Sequence, residues 1–365
     1  MSAVNRLTAS RHELSVARQI PYVAHVAEGL IKTQAGDFVQ VFRLGGASFE
    51  SADDETLNNW HERLNVTWRN IASPNLALWT HVLRRRERAV VPAVNAAGFA
   101  ADLAQKYRER LAQETLMVNE LYLALVYRPV AGPTTTAASR LLSRAAKESE
   151  RVMLGDVIEV CEKLGQTVAA SLARYEPERL GLSDRGLRRC SSLLEFFGIL
   201  INGEWQAMPV PRAPLNEVIA TTRPLFGTEV IEYRLPTETR LGAFLGIKEY
   251  PTPTSVGMYN ALLSAPFEFV LTQSFSFLTK GTAQGLLQRQ YNRMANAGDF
   301  AVSQAEELKD ALDALTANEF VLGDHHLTLQ VLTPASEARA AAQGGCSSAS
   351  TMTWRSPARC WRTAA

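Results

Sequence analysis

At 365 residues the chain exceeds one typical domain, so two structural units are expected. Hydrophobic residues make up 46%, enough for a sizeable core, and a formal net charge of +1 removes the global basicity that would make nucleic acid the default partner. Four cysteines (Cys161, Cys190, Cys346 and Cys360) lack C-x-x-C spacing, which points to reduced thiols in a cytosolic chain and away from a disulfide framework or zinc site.

Met1 to Leu30 carries scattered charges and no apolar core segment, so no signal peptide is read there. Asp37–Leu44 alternates apolar and polar residues as a half-buried strand does. Asp53 and Asp54 then open a helix to Ile71, with Leu57, Trp60, Leu64 and Trp68 near helical spacing. Leu76–Leu83 returns to strand composition. A helix over Phe99–Gln113, a strand over Glu120–Arg128 and a helix over Ala137–Tyr175 follow, with Pro129–Thr136 as a connector.

After a short extended piece at Leu180–Leu182, the pattern predicts a helix over Asp184–Asn202 capped by Gly203. Pro209, Pro211, Pro214 and Pro224 should break regular structure. Gly227–Leu235 and Leu241–Glu249 read as short strands or a hairpin, and Phe267–Leu278 alternates strongly. Helices over Thr282–Ala297 and Ser303–Ala317 lead to a last strand, Glu319–Leu332. The fold class is α/β to α+β, with mixed sheets and packed helices in two layered units.

No segment reads as a membrane span. The longest uncharged stretch, Tyr250–Phe267, contains Pro251, Pro253 and Pro266, and the apolar Cys190–Gly203 is short and interrupted by Glu195. Membrane association is expected to be peripheral or through a partner.

L-L-E-F-F-G-I-L-I-N-G-E (193–204), F-E-F-V-L-T-Q-S-F-S-F-L (267–278) and A-N-E-F-V-L-G-D-H-H-L-T-L-Q-V-L (317–332) resemble the CagE/TrbE/VirB family. The upstream I-K-T-Q-A-G-D-F-V-Q-V-F-R-L-G-G (31–46) and W-T-H-V-L-R-R-R (79–86) resemble that family's amino-terminal region, so the likeness covers roughly nine-tenths of the chain. The resemblance implies part of a large ATPase that energises type IV secretion and conjugation. It also implies docking on the cytoplasmic face of the inner membrane, contact with other secretion subunits, and self-association. In intact relatives ATP and Mg belong to a RecA-like motor domain.

A phosphate-cradling loop needs glycines for backbone approach, then Lys and Ser/Thr. No G-x-x-x-x-G-K-[ST] occurs in the sequence, and the nearest glycine-rich pieces, Gly45-Gly46-Ala47-Ser48 and Gly281-Thr282-Ala283-Gln284-Gly285, lack that pattern. No catalytic, cofactor-binding or metal-ligating residue is assigned. Residues 1–135 are expected to form an amino-terminal α/β docking unit and 136–335 a CagE/TrbE/VirB-type central region. Residues 336–365 read as a disordered, non-native-looking tail, with four Arg and no acid after Glu337. A one-base shift over Met352–Thr363 can restore a family-like helix, so truncation by frameshift is the expectation there. The expected function is docking and assembly within a secretion complex. A free-standing scaffold, or nucleotide binding at a subunit interface, is the alternative.

Several residues carry site-like chemistry. Asp324-His325-His326 could suggest chelation, but a strand throws adjacent His side chains to opposite faces, so one packed and one exposed His is expected. His12, His25, His61 and His81 add no ligand spacing. Arg84-Arg85-Arg86-Glu87-Arg88 reads either as a solvated strand end with Glu87 as counter-charge or as a surface for anionic lipid or nucleic acid. Within the second reading, a membrane surface or a partner is favoured over sequence-specific nucleic acid. Phe267, Phe269, Phe275 and Phe277 share one strand face, which suits a core better than a base-stacking platform because no basic residues interleave. Glu306 and Glu307 fall on a polar helix. Cys161 lies in an amphipathic helix without a base partner.

Overall fold

A computed structural model describes residues 15–49, 51–87, 98–114, 116–129, 145–228, 230–236, 238–247, 250, 254, 257–296 and 302–338. The expectations for His12, Arg88, Pro129–Thr136 beyond its first residue, 137–144, Cys346, Cys360 and the tail from 339 lie outside those residues.

The first elements include a hairpin that alternation did not announce. Strands β1 (Tyr22–Ala27) and β2 (Leu30–Thr33) pair antiparallel across Glu28-Gly29, and Leu30 and Ile31 are fully buried. Next come β3 (Phe38–Leu44), α1 (Asp54–Ile71) and β4 (Leu76–Glu87), close to expectation. Helix α1 starts where it does because the Asp53 carboxylate accepts the Thr56 N–H at 2.7 Å. Helix α2 (Phe99–Gln113), β5 (Leu116–Tyr127) and α3 (Ala145–Ser171) follow.

The helix expected over Asp184–Asn202 begins later. Its first part is a hairpin of β7 (Leu182–Arg185) and β8 (Arg188–Ser191), preceded by the short β6 (Pro177–Arg179). Gly186 alone in the two-residue turn has positive φ, 64°, as a type II′ hairpin turn requires. Only α4 (Ser192–Asn202) is helical, and Gly203 ends it in the left-handed conformation at φ 73° as expected.

The remainder comprises α5 (Leu215–Val218), β9 (Arg223–Phe226), β10 (Ile231–Arg234), β11 (Thr239–Gly246), β12 (Glu268–Phe277), α6 (Lys280–Asn296), α7 (Val302–Thr316) and β13 (Gly323–Pro334). Pro224 does not break β9. Among the described residues β9 pairs with β10 alone. Because Gly227 N–H donates to the Val230 carbonyl, Pro224 opposite Tyr233 falls at a non-hydrogen-bonded pair where no N–H is needed.

The chain divides into two units, each assembled from separate stretches. The first (1–80, 122–221, 273–326) has the strand order β1-β2-β3-β5-β4-β12-β13, with β6 also on β3 and the β7–β8 pair separate. Its core gathers Phe42, Leu76, Leu123, Leu125, Val168 and Phe277 beneath Leu64 and Trp68 of α1. The second (81–121, 222–272, 327–365) has the order β5-β4-β12-β13-β11-β10-β9 and a core of Ala265, Phe269, Leu271, Leu327 and Leu329. Antiparallel pairing is seen in β1–β2, β2–β3, β3–β6, β9–β10, β10–β11 and β11–β13. The architecture is mixed α/β, as expected.

Candidate functional site

The arginine run on β4 is built into the second unit. Arg84 is only 9% exposed. Its Nε donates to the Ala265 carbonyl at 2.6 Å, and its Nη1 donates to the Leu263 carbonyl at 2.6 Å and to Asn119 Oδ1 at 2.8 Å. Burial lowers its pKa. Arg85 Nη2 lies 3.1 Å from Glu120 Oε1 and 3.7 Å from Glu87 Oε2. Arg86 grips the Glu337 carboxylate with Nη1 and Nη2 of its guanidinium, which raises the Arg86 pKa and lowers that of Glu337.

Glu268 completes the cluster. One carboxylate oxygen accepts the Arg86 backbone N–H at 2.9 Å, and the other pairs with the Arg240 guanidinium. Arg240 and Glu268 are both buried. Carboxylates so engaged are poor general bases, because their acceptor positions already face charged or backbone donors. What this arrangement can do is fix β4, β11, β12 and residue 337 against one another. Of the two readings of the basic run, the solvated strand end is corrected for Arg84, and Glu87 does supply a counter-charge to Arg85. Sequence reasoning missed Glu120, Arg240, Glu268 and Glu337, whose partners are distant in the chain.

The histidines do not converge. His81 is buried, with Nδ1 2.9 Å from Thr272 Oγ1, and burial pushes its pKa down to about 4. His25 Nε2 lies 3.0 Å from Ser191 Oγ, and desolvation lowers its pKa. Asp324, His325 and His326 are all exposed, so the expected packed partner is absent from that triplet; β13 has yet to enter its core at that end. His325 Nε2 sits 3.3 Å from Gln273 Oε1, and its pKa is lowered by desolvation and by His326. Among the described residues no group of three or more His, Cys, Asp or Glu could hold a metal ion.

The phenylalanines form two separate edge-on pairs. Phe267 and Phe269 are 6.2 Å apart between centroids in the second unit's core, and Phe275 and Phe277 are 5.1 Å apart in the first unit's. Core packing is therefore their role. Cys161 is buried, its carbonyl accepting from Gln40 Nε2 at 2.8 Å, and burial pushes its thiol up to about 12. Glu306 and Glu307 are exposed on α7.

The two glycine-rich pieces sit in different settings. Gly45 and Gly46 N–H groups donate to the Tyr175 carbonyl at 2.8 and 3.3 Å. Gly281 and Gly285 lie inside α6, and Lys280 Nζ donates to the Thr316 carbonyl at 2.8 Å and to Asn318 Oδ1 at 2.9 Å. A cavity of about 370 Å³ in the first unit runs beneath α1, walled by Trp68, Leu78, Phe275, Phe277 and Phe320. Arg69 at its rim donates to the Glu319 carbonyl at 3.0 Å and to Glu62 at 3.1 Å. Asn65, Thr80, Gln273, Ser274 and His325 also line it, so its wall is mixed, and the Arg69 guanidinium is already committed to protein acceptors.

Comparison with known proteins gives two family matches. Residues 178–344 match the CagE, TrbE, VirB family, component of type IV transporter system, and residues 29–134 match the type IV secretion system ATPase VirB4/TrbE, N-terminal domain. The type IV secretion system protein virB4 of Bartonella quintana (strain Toulouse) is 37% identical over 315 residues, covering 86% of this chain and 40% of that protein. PtlC of Bordetella pertussis (strain Tohama I) is 36% identical over 330 residues, covering 88% of this chain and 39% of PtlC. The virB4 protein of Brucella suis biovar 1 (strain 1330) is 36% identical over 334 residues, covering 88% and 39%. The chain thus spans about 40% of the length of the curated relatives it matches.

Proposed function

Because the chain belongs to the CagE, TrbE, VirB family, component of type IV transporter system, we propose that it acts as the docking and assembly part of a type IV secretion ATPase. It contacts other secretion subunits and further copies of itself, and sits peripherally at the inner membrane. Residues 1–135 serve docking, and 136–335 form the central region. ATP binding and hydrolysis, which use Mg in the intact family, draw on residues other than those described. No catalytic residue is assigned within the chain.

The observation that carries this reading is where the chain spends its polar groups. Arg84, Arg86, Arg240, Glu268 and Glu337 are consumed in bonds within the second unit, and the Gly45 and Gly46 backbone N–H groups are already bonded to the Tyr175 carbonyl. Among the described residues no helix is long and apolar enough to cross a membrane, which accords with a peripheral placement.

Two measurements test it. Affinity isolation of the tagged chain from cells producing the secretion system should recover other subunits of that system. Calorimetric titration with Mg-ATP should give no saturable heat. Saturable micromolar binding would replace docking with nucleotide binding at a subunit interface.

A further inference from the structure

Helix α2 has an outer face without a core to enter. Phe99 is 81% exposed, Leu103 57% and Tyr107 58%, spaced four residues apart. Its inner side is marked by half-buried Ala101, Ala104, Arg108 and Leu111. Burying large apolar side chains is the main favourable term in folding, so three left out on one helix face mark a contact surface.

Charge identifies what fits there. Lys106 and Arg110 are exposed and, at helical periodicity, fall among the apolar three within an arc of about 100°. No acid of α2 lies inside that arc. Asp102 and Glu109 lie on one flank, and Glu109 accepts from Gln105 Nε2 at 3.0 Å instead of pairing with a cation. Protein–protein interface cores are depleted in lysine, whereas Phe, Leu and Tyr interleaved with Lys and Arg match the boundary of an anionic bilayer. There the rings sit against acyl chains while the cationic heads reach up to phosphates.

We propose that this face of α2 is a membrane-contacting surface for anionic phospholipid, with the helix lying in the plane of the headgroups. The assignment deepens the peripheral placement proposed above and rests on it. A single 15-residue helix of this kind gives reversible association and no anchor.

The test is co-sedimentation of the purified 365-residue chain with vesicles of phosphatidylcholine alone and of phosphatidylcholine mixed with phosphatidylglycerol. Binding is expected on the mixed vesicles and should weaken with added salt. Losing about 1 kcal/mol per surface cation, K106Q/R110Q should bind those vesicles about 30-fold more weakly. L103S/Y107S should lose about tenfold or more, and D102N should not weaken binding. All positions are exposed, and circular dichroism confirms that each variant folds. Unchanged binding by both double variants overturns the proposal. So does self-association that depends on α2 in sedimentation velocity, without vesicle binding. Co-isolation with secretion subunits despite either result would leave the docking reading standing and remove only the lipid assignment.

Discussion

Arg240 and Glu268 form an ion pair in which each side chain is 10% exposed or less. Removing one member of such a pair leaves the other charge desolvated and uncompensated, which usually costs more than the intact pair contributes. R240M is therefore expected to lower stability by about 3 kcal/mol. R240M/E268Q should recover part of that, since the amide removes the stranded charge while still accepting the Arg86 N–H. Urea denaturation of the four members of the cycle measures the coupling, expected at about 1–3 kcal/mol.

His81 makes stability depend on acidity. Burial pushes its pKa down to about 4 from an ordinary 6.5. Above the ordinary value neither the folded nor the unfolded chain protonates it. Between 6.5 and about 4 the unfolded chain takes up the proton and the folded chain resists, so stability falls as pH falls through that window. The full effect is about 3 kcal/mol. H81N should flatten this part of the profile relative to the parent, read as the difference in urea midpoints between neutral and mildly acidic buffer.

Ser191 is completely buried and has two tasks. Its hydroxyl accepts the Leu194 N–H at 3.2 Å as the N-cap of α4, and it meets His25 Nε2 at 3.0 Å. S191A should cost about 1–2 kcal/mol and speed amide exchange in the first turn of α4, measured by hydrogen–deuterium exchange.

Cys161 should behave as an inert core residue. With its thiol pushed up to about 12, the thiolate at mildly alkaline pH is scarcer by about a thousandfold than at an ordinary cysteine. Iodoacetamide followed by peptide mass spectrometry should leave Cys161 unmodified in the folded chain and alkylate it after unfolding. Rapid labelling in the folded state would contradict the burial described for α3.

Where local pattern and tertiary environment agreed, the sequence was legible. Helix α1 follows from helical spacing plus the Asp53 cap, and the end of α4 from Asn202-Gly203. Strands β3 and β12 lie where alternation placed strands, but Phe38–Phe42 are buried on both faces, not half-buried as expected. The Asp184–Ser191 hairpin was hidden because Leu187 and the arginines around it have no strand pattern, and Gly186 was the one signal. β1 was obscured for a related reason: its residues are mostly half-buried on both faces, so no alternation survives. The fate of Arg84, Arg85 and Arg86 could not be read locally at all. Arg86 meets Glu337 across 251 positions, and nothing in a run of like charges says which carboxylates will close over it.

The proline in β9 has a consequence for how this protein meets other chains. An outermost strand with a full row of free donors and acceptors is a template on which foreign strands can grow, ending in fibrils. Pro224 leaves a gap in the donor row of β9, and the strand is four residues long. Growth by backbone zippering is frustrated at that margin, so a chain meeting it would find side chains and not a continuous ladder to extend.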